Sequence, residues 1–203
     1  MEFKTTKPLI LASASPRRKE LLSLIGIPFE VKTMEVDENA IYGGSPSELV
    51  CNIAMEKGLH VAERNQHAIV ISADTMVFID DEPLGKAQSA EMAKLYLRRL
   101  SGRTHTVITG VAIYFEDICS VFFEKTKVTF YRLSDEWIDS YVASGDCFDK
   151  AGGYGIQTVG ALMVEHINGD YNNVVGLPVA ELYRELKNLQ LIEWKSAGAR
   201  HDH

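Results

Sequence analysis

The sequence is poor in cysteine, in long apolar runs and in positive charge, and each shortage removes a class of protein. Its three cysteines, Cys51, Cys119 and Cys147, stand far apart with no C-x-x-C pair. Neither a disulfide framework nor a zinc site is therefore expected, and a reducing, cytoplasmic setting fits best. The opening MEFKTTKPLILASASPRR holds only four or five apolar residues in a row, too few for a secretory h-region or a membrane span, so no membrane partner is expected. Lys and Arg number 21 against 28 Asp and Glu, a formal charge of −7. That sign repels a phosphate backbone, so nucleic acid is not expected as a partner, although a local basic pocket can still hold a small anion. Also missing are G-x-G-x-x-G after a strand, G-x-x-x-x-G-K-[ST], G-x-S-x-G and H-E-x-x-H. Dinucleotide fingerprints, P-loops, nucleophile elbows and zincin helices are thereby excluded.

What is there is an ordinary globular composition, 46% hydrophobic and 24% charged over 203 residues. It suits one domain over residues 1–190 followed by a polar tail, 191–203, that holds His201 and His203. Residues 8–13 form a short apolar run. Ser15 then caps a helix with Pro16 at its first position and Gly26 beyond its end. Ser45 and Glu48 frame a capping box around Pro46 for a second helix running to about Arg64. AIVISADTMVFID reads as an apolar strand broken at Ala73-Asp74-Thr75 and followed by a second short strand. Ser89 caps a third helix through Leu100. THTVITGVAIYF and SVFFEKTKVTFYR, separated by EDIC, predict an antiparallel hairpin. Ser134 caps a further helix ended by Gly145. The glycine-rich DKAGGYGIQ, a strand ALMVEHI, a turn at NGD and a last helix from Pro178 complete the chain. The hairpin interrupts an otherwise alternating βα series, which predicts an α/β fold with a mixed sheet.

Five groups of residues have chemical potential. A strand feeding a helix through Ser13, Ser15, Arg17 and Arg18 presents free N–H groups, hydroxyls and guanidiniums at one place, an anion site. The alternative is a simple Ser15 cap with two solvated arginines, but cations at a helix N-terminus oppose the macrodipole. Asp74, in an apolar strand, is either a turn cap, a metal ligand or a general base. Glu35, Asp37 and Glu38 form an acidic loop that would suit Mg²⁺ or Mn²⁺ or is merely solvated. Lys57 shares a helical face with Ile53 and Leu49, so it points toward the core or a cleft edge. Lys86 and Lys150 add cations beside glycine-rich segments, where snorkelling surface lysines are the plain alternative. Gln157 follows AGGYGI, which permits close backbone approach to a ligand, and its amide can read a base edge.

LASASPRRKELL, ISADTMV, LRRLSGRTHTVITGVAI, EKTKVTF, YVASGDCFDKAGGYGIQ and NGDYNNVVGLP, spread from Leu9 to Leu189, resemble the successive motifs of the Maf family. The resemblance implies an inosine-triphosphatase-like fold with two lobes around a deep groove and a nucleoside triphosphate pyrophosphatase activity that needs a divalent cation, Mg²⁺ or Mn²⁺. It implies that Ser13, Arg17 and Arg18 grip the triphosphate, that Lys57 and Lys86 complete the clamp, that Asp74 is the general base, and that Glu38 and Asp74 serve the metal. Arg17, Thr75 and Gln157 match positions tied to base choice, and SPRR, ADT and GIQ together match the subfamily acting on dTTP and UTP. The subfamily acting on methylated GTP usually has Trp where this chain has Arg17. Lys86-Ala87 departs from the family's usual Lys-Pro. The resemblance further implies a house-cleaning role with a link to septum formation and division arrest, and it admits a homodimer.

Overall fold

The computed structural model describes residues 3–5 and 7–195. In chain order the elements are β1 (Phe3–Thr5), β2 (Leu9–Leu11), α1 (Pro16–Ser23), β3 (Glu30–Val31), α2 (Pro46–Glu63), β4 (Ile69–Ile79), β5 (Glu82–Leu84), α3 (Ala90–Leu100), β6 (Thr104–Phe115), β7 (Ile118–Phe130), α4 (Asp135–Ala143), β8 (Val164–Asn168), α5 (Tyr171–Val175), α6 (Val179–Asn188) and β9 (Ile192–Trp194). Short 3₁₀ turns occupy Glu38–Ala40 and Val159–Met163. No helix among the described residues is long and apolar enough to cross a membrane.

The serine caps act as the sequence predicts. The hydroxyls of Ser15, Ser45, Ser89 and Ser134 each accept from the backbone N–H three residues on, which satisfies one of the free donors of a helix start. At α2 the Glu48 carboxylate reaches back to the N–H of Gly44 at 2.7 Å, one residue further than in a regular capping box.

The main sheet runs β3-β2-β4-β6-β7-β8, with β5 paired to β4. β2 lies parallel to β3 and to β4, while β4, β5, β6, β7 and β8 pair antiparallel, so the sheet is mixed as expected. Residues facing one side of β4 and β6 divide into two apolar clusters. Ile69, Ile71, Ala73, Val111 and Ile113 pack with α1 and α6. Val77, Ile79 and Val107 pack with α3 and α4. The polar pair Thr75 and Thr109 lies between them, and this is where a groove separates two lobes on one continuous sheet. The other side is covered by α2. Gly110, the cross-strand neighbour of Asp74, lets that helix approach: a Cβ there would sit 2.6 Å from the Val50 carbonyl.

Three expectations are corrected. β4 is one uninterrupted strand, and Asp74 stands in its middle instead of at a break. Pairing with β6 from Val70 to Phe78 satisfies the backbone throughout, so a polar Asp-Thr pair does not end the strand. The second short strand expected after the break is the far half of β4 itself, and the unforeseen β5 returns along it through Asp80 and Asp81, both at positive φ as a tight hairpin turn requires. The polar tail also begins later than residue 191. Leu191 and Ile192 are buried, and β9 pairs antiparallel with β1 through Phe3–Trp194, Lys4–Glu193 and Thr5–Ile192, a contact between chain ends that local composition does not reveal. His201 and His203 lie outside the described residues. The predicted strand ALMVEHI is shortened as well, because residues 161–163 belong to the second 3₁₀ turn.

Candidate active site

β4 owes its exposure to a gap in the sheet. β2 accompanies its outer edge at Ile69–Ile71 and β5 at Val77–Ile79. Among the described residues no strand covers that edge in between. A groove of about 970 Å³ opens there, and Ser13, Arg17, Arg18, Glu38, Lys57, Asp74, Thr75, Lys86 and Gln157 all line it. Glu35, from the same acidic loop as Glu38, does not; Asp37 does.

Arg18 comes from the first turn of α1 and is held on three sides. Its Nε donates to the Gly176 carbonyl at 2.9 Å, Nη1 to Ser13 Oγ at 3.2 Å and Nη2 to Thr75 Oγ1 at 3.0 Å. Burial pushes its pKa down, Asp74 and Glu38 push it up, and Arg17 adds to the lowering, yet an arginine stays charged at any working pH. Thr75 Oγ1 is also 2.9 Å from Thr109 Oγ1, so the groove floor is a hydroxyl ladder that fixes the guanidinium's plane. Arg17 instead reaches across the groove, where Nη1 donates to Asp149 Oδ2 at 2.8 Å and Nη2 to the Asp149 carbonyl at 3.3 Å.

Asp74 faces the opposite way from Thr75, as alternation along a strand dictates, and meets α2. Its Oδ1 accepts from Lys57 Nζ at 2.7 Å, and Lys57 Nζ is also 2.7 Å from Glu38 Oε1. Asp74 is 5% exposed, and its Oδ2 is buried without a hydrogen-bond partner. A buried carboxylate oxygen left open normally costs free energy, so this atom is poised to accept a proton or bind a cation. Lys57 is thus neither snorkelling nor free. It is the counter-ion that makes a buried aspartate tolerable.

Lys86 is exposed at the groove, and its backbone bridges that of Ala151. The glycine-rich segment is tied down beside it. The Gly152 N–H donates to the carbonyls of Leu84 and Gly85, and a Cβ at Gly152, already at φ +70°, would strike the Val77 side chain. Lys150 turns inward to Asp146 and Asp149, so it serves the loop's own structure. Burial raises the Asp149 carboxyl, but hydrogen bonds from Lys150 and Arg17 outweigh it and leave it at about 2. Among the described residues, Arg18 and Lys86 are the groove cations without a carboxylate at ion-pair distance, which leaves positive charge for an anionic ligand.

Sequence reasoning missed Asp149, Thr109, Tyr154 and the Gly176 carbonyl. Asp149 precedes a lysine and an apolar loop, a pattern with no signal for pairing to an arginine 132 residues away. Gly176 caps α5 with φ +133°, and its carbonyl carries no side-chain signature at all.

Comparison with known proteins adds four findings. Residues 8–189 match the family model described as Maf-like protein. A dTTP/UTP pyrophosphatase of Bacillus cereus is 50% identical over 190 residues, covering 94% of each chain. A protein of the same name from Bacillus anthracis is 50% identical over 185 residues, covering 91% of this chain and 97% of its own. Among solved structures, a HAM1 protein from Coxiella burnetii aligns with a TM-score of 0.53 at 16% identity, over 90% of this chain and all of its own, a likeness of fold.

Proposed function

Because the chain belongs to the Maf-like protein family, we propose that it is a nucleoside triphosphate pyrophosphatase that hydrolyses dTTP and UTP to the monophosphate and pyrophosphate. The observation that carries the reading is the pairing, in one groove, of cations not neutralised by carboxylates with a buried aspartate whose second oxygen is open. Polyphosphate binding needs the first, and proton abstraction from water needs the second.

Arg18 presents a fixed planar fork to phosphate oxygens, and Ser13, which already orients it, adds a hydroxyl at the same point. Lys86 supplies a mobile point charge from the other wall. Asp74 Oδ2 takes a proton from water; the resulting hydroxide attacks the α-phosphorus as the bond to the bridging oxygen breaks, and pyrophosphate departs with charge spread toward Arg18 and Lys86. Lys57 holds the Asp74 carboxylate in its orientation through Oδ1 and leaves Oδ2 to react. Glu38 and Asp74 are hard oxygen donors that converge on Lys57, and with the open Oδ2 they fit a divalent cation, Mg²⁺ or Mn²⁺. No group of three or more His, Cys, Asp and Glu is assembled for a metal among the described residues, so such an ion would depend on substrate oxygens for the remainder of its shell, as Mg²⁺ commonly does. When bound it would neutralise phosphate charge and acidify water. Thr75, Arg17 and Gln157 line the same groove, and the proposal assigns them to base choice. The Gln157 amide complements the O4 and N3–H edge of uracil or thymine. The same reading makes the enzyme cytoplasmic and its partner a nucleotide.

Pyrophosphate release from a panel of nucleoside triphosphates, with and without excess chelator, tests the proposal. UTP and dTTP should lead ATP and GTP, chelation should abolish turnover, and added Mg²⁺ or Mn²⁺ should restore it. Equal kcat/KM for GTP and UTP refutes the base assignment, and turnover that survives chelation refutes the metal.

A further inference from the structure

We propose that His105 is a positioning residue for substrate selection: by its hydrogen bond to Tyr154 it fixes the glycine-rich wall of the groove, and with it Gln157, without touching the nucleotide. The inference rests on the pyrophosphatase reading above.

The segment from Asp149 to Thr158 has no helix or strand of its own. It is attached by backbone contacts at Ala151 and Gly152, and by the Gly155 N–H donating to Tyr141 Oη at 3.2 Å. Tyr154 is its one buried residue other than glycine. Tyr154 lines the groove, while its hydroxyl runs back into the second lobe to within 2.7 Å of His105 Nε2. His105, on β6 and 2% exposed, lies behind Tyr154 and outside the groove lining. Phe130 closes the cluster: its centroid is 4.8 Å from that of His105 and 4.7 Å from that of Tyr154, with all three rings edge-on to one another. Such contacts hold a ring in place and in orientation.

Packing alone does not account for a histidine at this position. Its Nδ1 is buried with no partner, and leaving a polar nitrogen there is costly where leucine or phenylalanine would fill the space without one. What histidine adds is Nε2, and Nε2 is spent on Tyr154. Gly152 and Gly153 both sit at positive φ and contribute no side chains, so the hydroxyl of Tyr154 is the wall's buried hydrogen-bonding anchor in the second lobe, beside the packing of Ile156 on the first cluster and the bond from Thr158 to Asp146. Three residues later stands Gln157, whose position decides which base fits.

The test uses Tyr154→Phe, which keeps the ring and removes the anchor, together with the double variant His105→Leu/Tyr154→Phe, which removes both polar partners and restores packing. His105→Gln, whose amide can reach the hydroxyl, serves as the conservative rescue. Hydrogen exchange at 151–157 should accelerate roughly three- to tenfold in Tyr154→Phe, the worth of one net hydrogen bond, while α2 amides keep their protection. KM for UTP should rise by a similar factor, the UTP-over-GTP preference should narrow, and kcat should hold. The double variant should regain thermal stability yet keep the altered KM, and His105→Gln alone, with the Tyr154 hydroxyl in place, should keep KM near that of wild type. Unchanged exchange and KM in Tyr154→Phe, or a fall in kcat with KM intact, overturns the proposal alone. A wild-type protein that releases no pyrophosphate overturns the reading on which it rests, and the proposal with it.

Discussion

Replacing Asp74 by asparagine changes one thing that matters. In the native groove Oδ1 takes Lys57 at 2.7 Å and Oδ2 has no partner. Asparagine can keep its carbonyl oxygen toward Lys57, which places an NH₂ group where Oδ2 was: a donor at the point where a proton acceptor is required. The backbone is paired with β6 on both sides of the substitution, and Lys57 retains Glu38, so the fold should survive. Loss of a general base costs about 10²–10⁴ in rate, about 2.7–5.5 kcal/mol of transition-state stabilisation. Affinity should move the other way or not at all, since a negative charge has been removed beside a bound triphosphate. Two assays on the folded variant decide the matter: pyrophosphate release from UTP, and calorimetric binding of a non-hydrolysable UTP analogue. Turnover within about fivefold of wild type would be too small a loss for a general base and would remove Asp74 from that role. Lost binding in a variant that melts like wild type would make it a ligand contact.

Arg18→Lys keeps the charge but gives up the three-point fit to Gly176, Ser13 and Thr75, so kcat/KM should fall by about tenfold or more; wild-type kinetics for this variant would show that the fork is unimportant. Acid should destabilise the fold through His105, which burial pushes down to about 3: the unfolded chain takes up that proton near 6.5, so between the two values the unfolded state binds more protons and stability drops as pH falls. From pH 6.5 to 4.5, above the range where carboxylates contribute most, the loss should be about 2–3 kcal/mol, read as a shift in urea midpoint. An equal slope in His105→Leu/Tyr154→Phe would assign the acid sensitivity elsewhere.

Helix starts were legible because their causes are local. Ser15, Ser45, Ser89 and Ser134 each satisfy an N–H three residues away, and proline at the first position of α1 and α2 needs no long-range support. The long hairpin of β6 and β7 was legible from β-branched and aromatic content, with its turn tighter than the EDIC spacer suggested. What failed had distant causes. β4 reads as broken because Asp-Thr in an apolar run is a local turn signal, and it is continuous because β6 and Lys57 supply the missing partners. β9 reads as a tail because its pairing partner, β1, is at the other end of the chain.

The same division holds for the site. Lys57 could be aimed inward from its helical face alone, but nothing in the sequence brings Glu38, Asp74 and Arg18 to one groove; the resemblance carried those roles, and the fold gathers the three residues from a 3₁₀ turn, β4 and α1. Asp74 and Thr75 are adjacent, so alternation sends one to the α2 side and one to the Arg18 side. In a sheet paired on both edges these two faces could not share a ligand. Here β2 pairs β4 no further than Ile71 and β5 covers it only from Val77 to Ile79, and the uncovered edge between them joins the two faces into a single groove. On the proposed reading, proton acceptor and phosphate clamp are thereby kept apart from each other by the strand and yet open to the same substrate. Aspartate and arginine in direct contact would neutralise one another, and Asp74 would lose the open oxygen the chemistry needs.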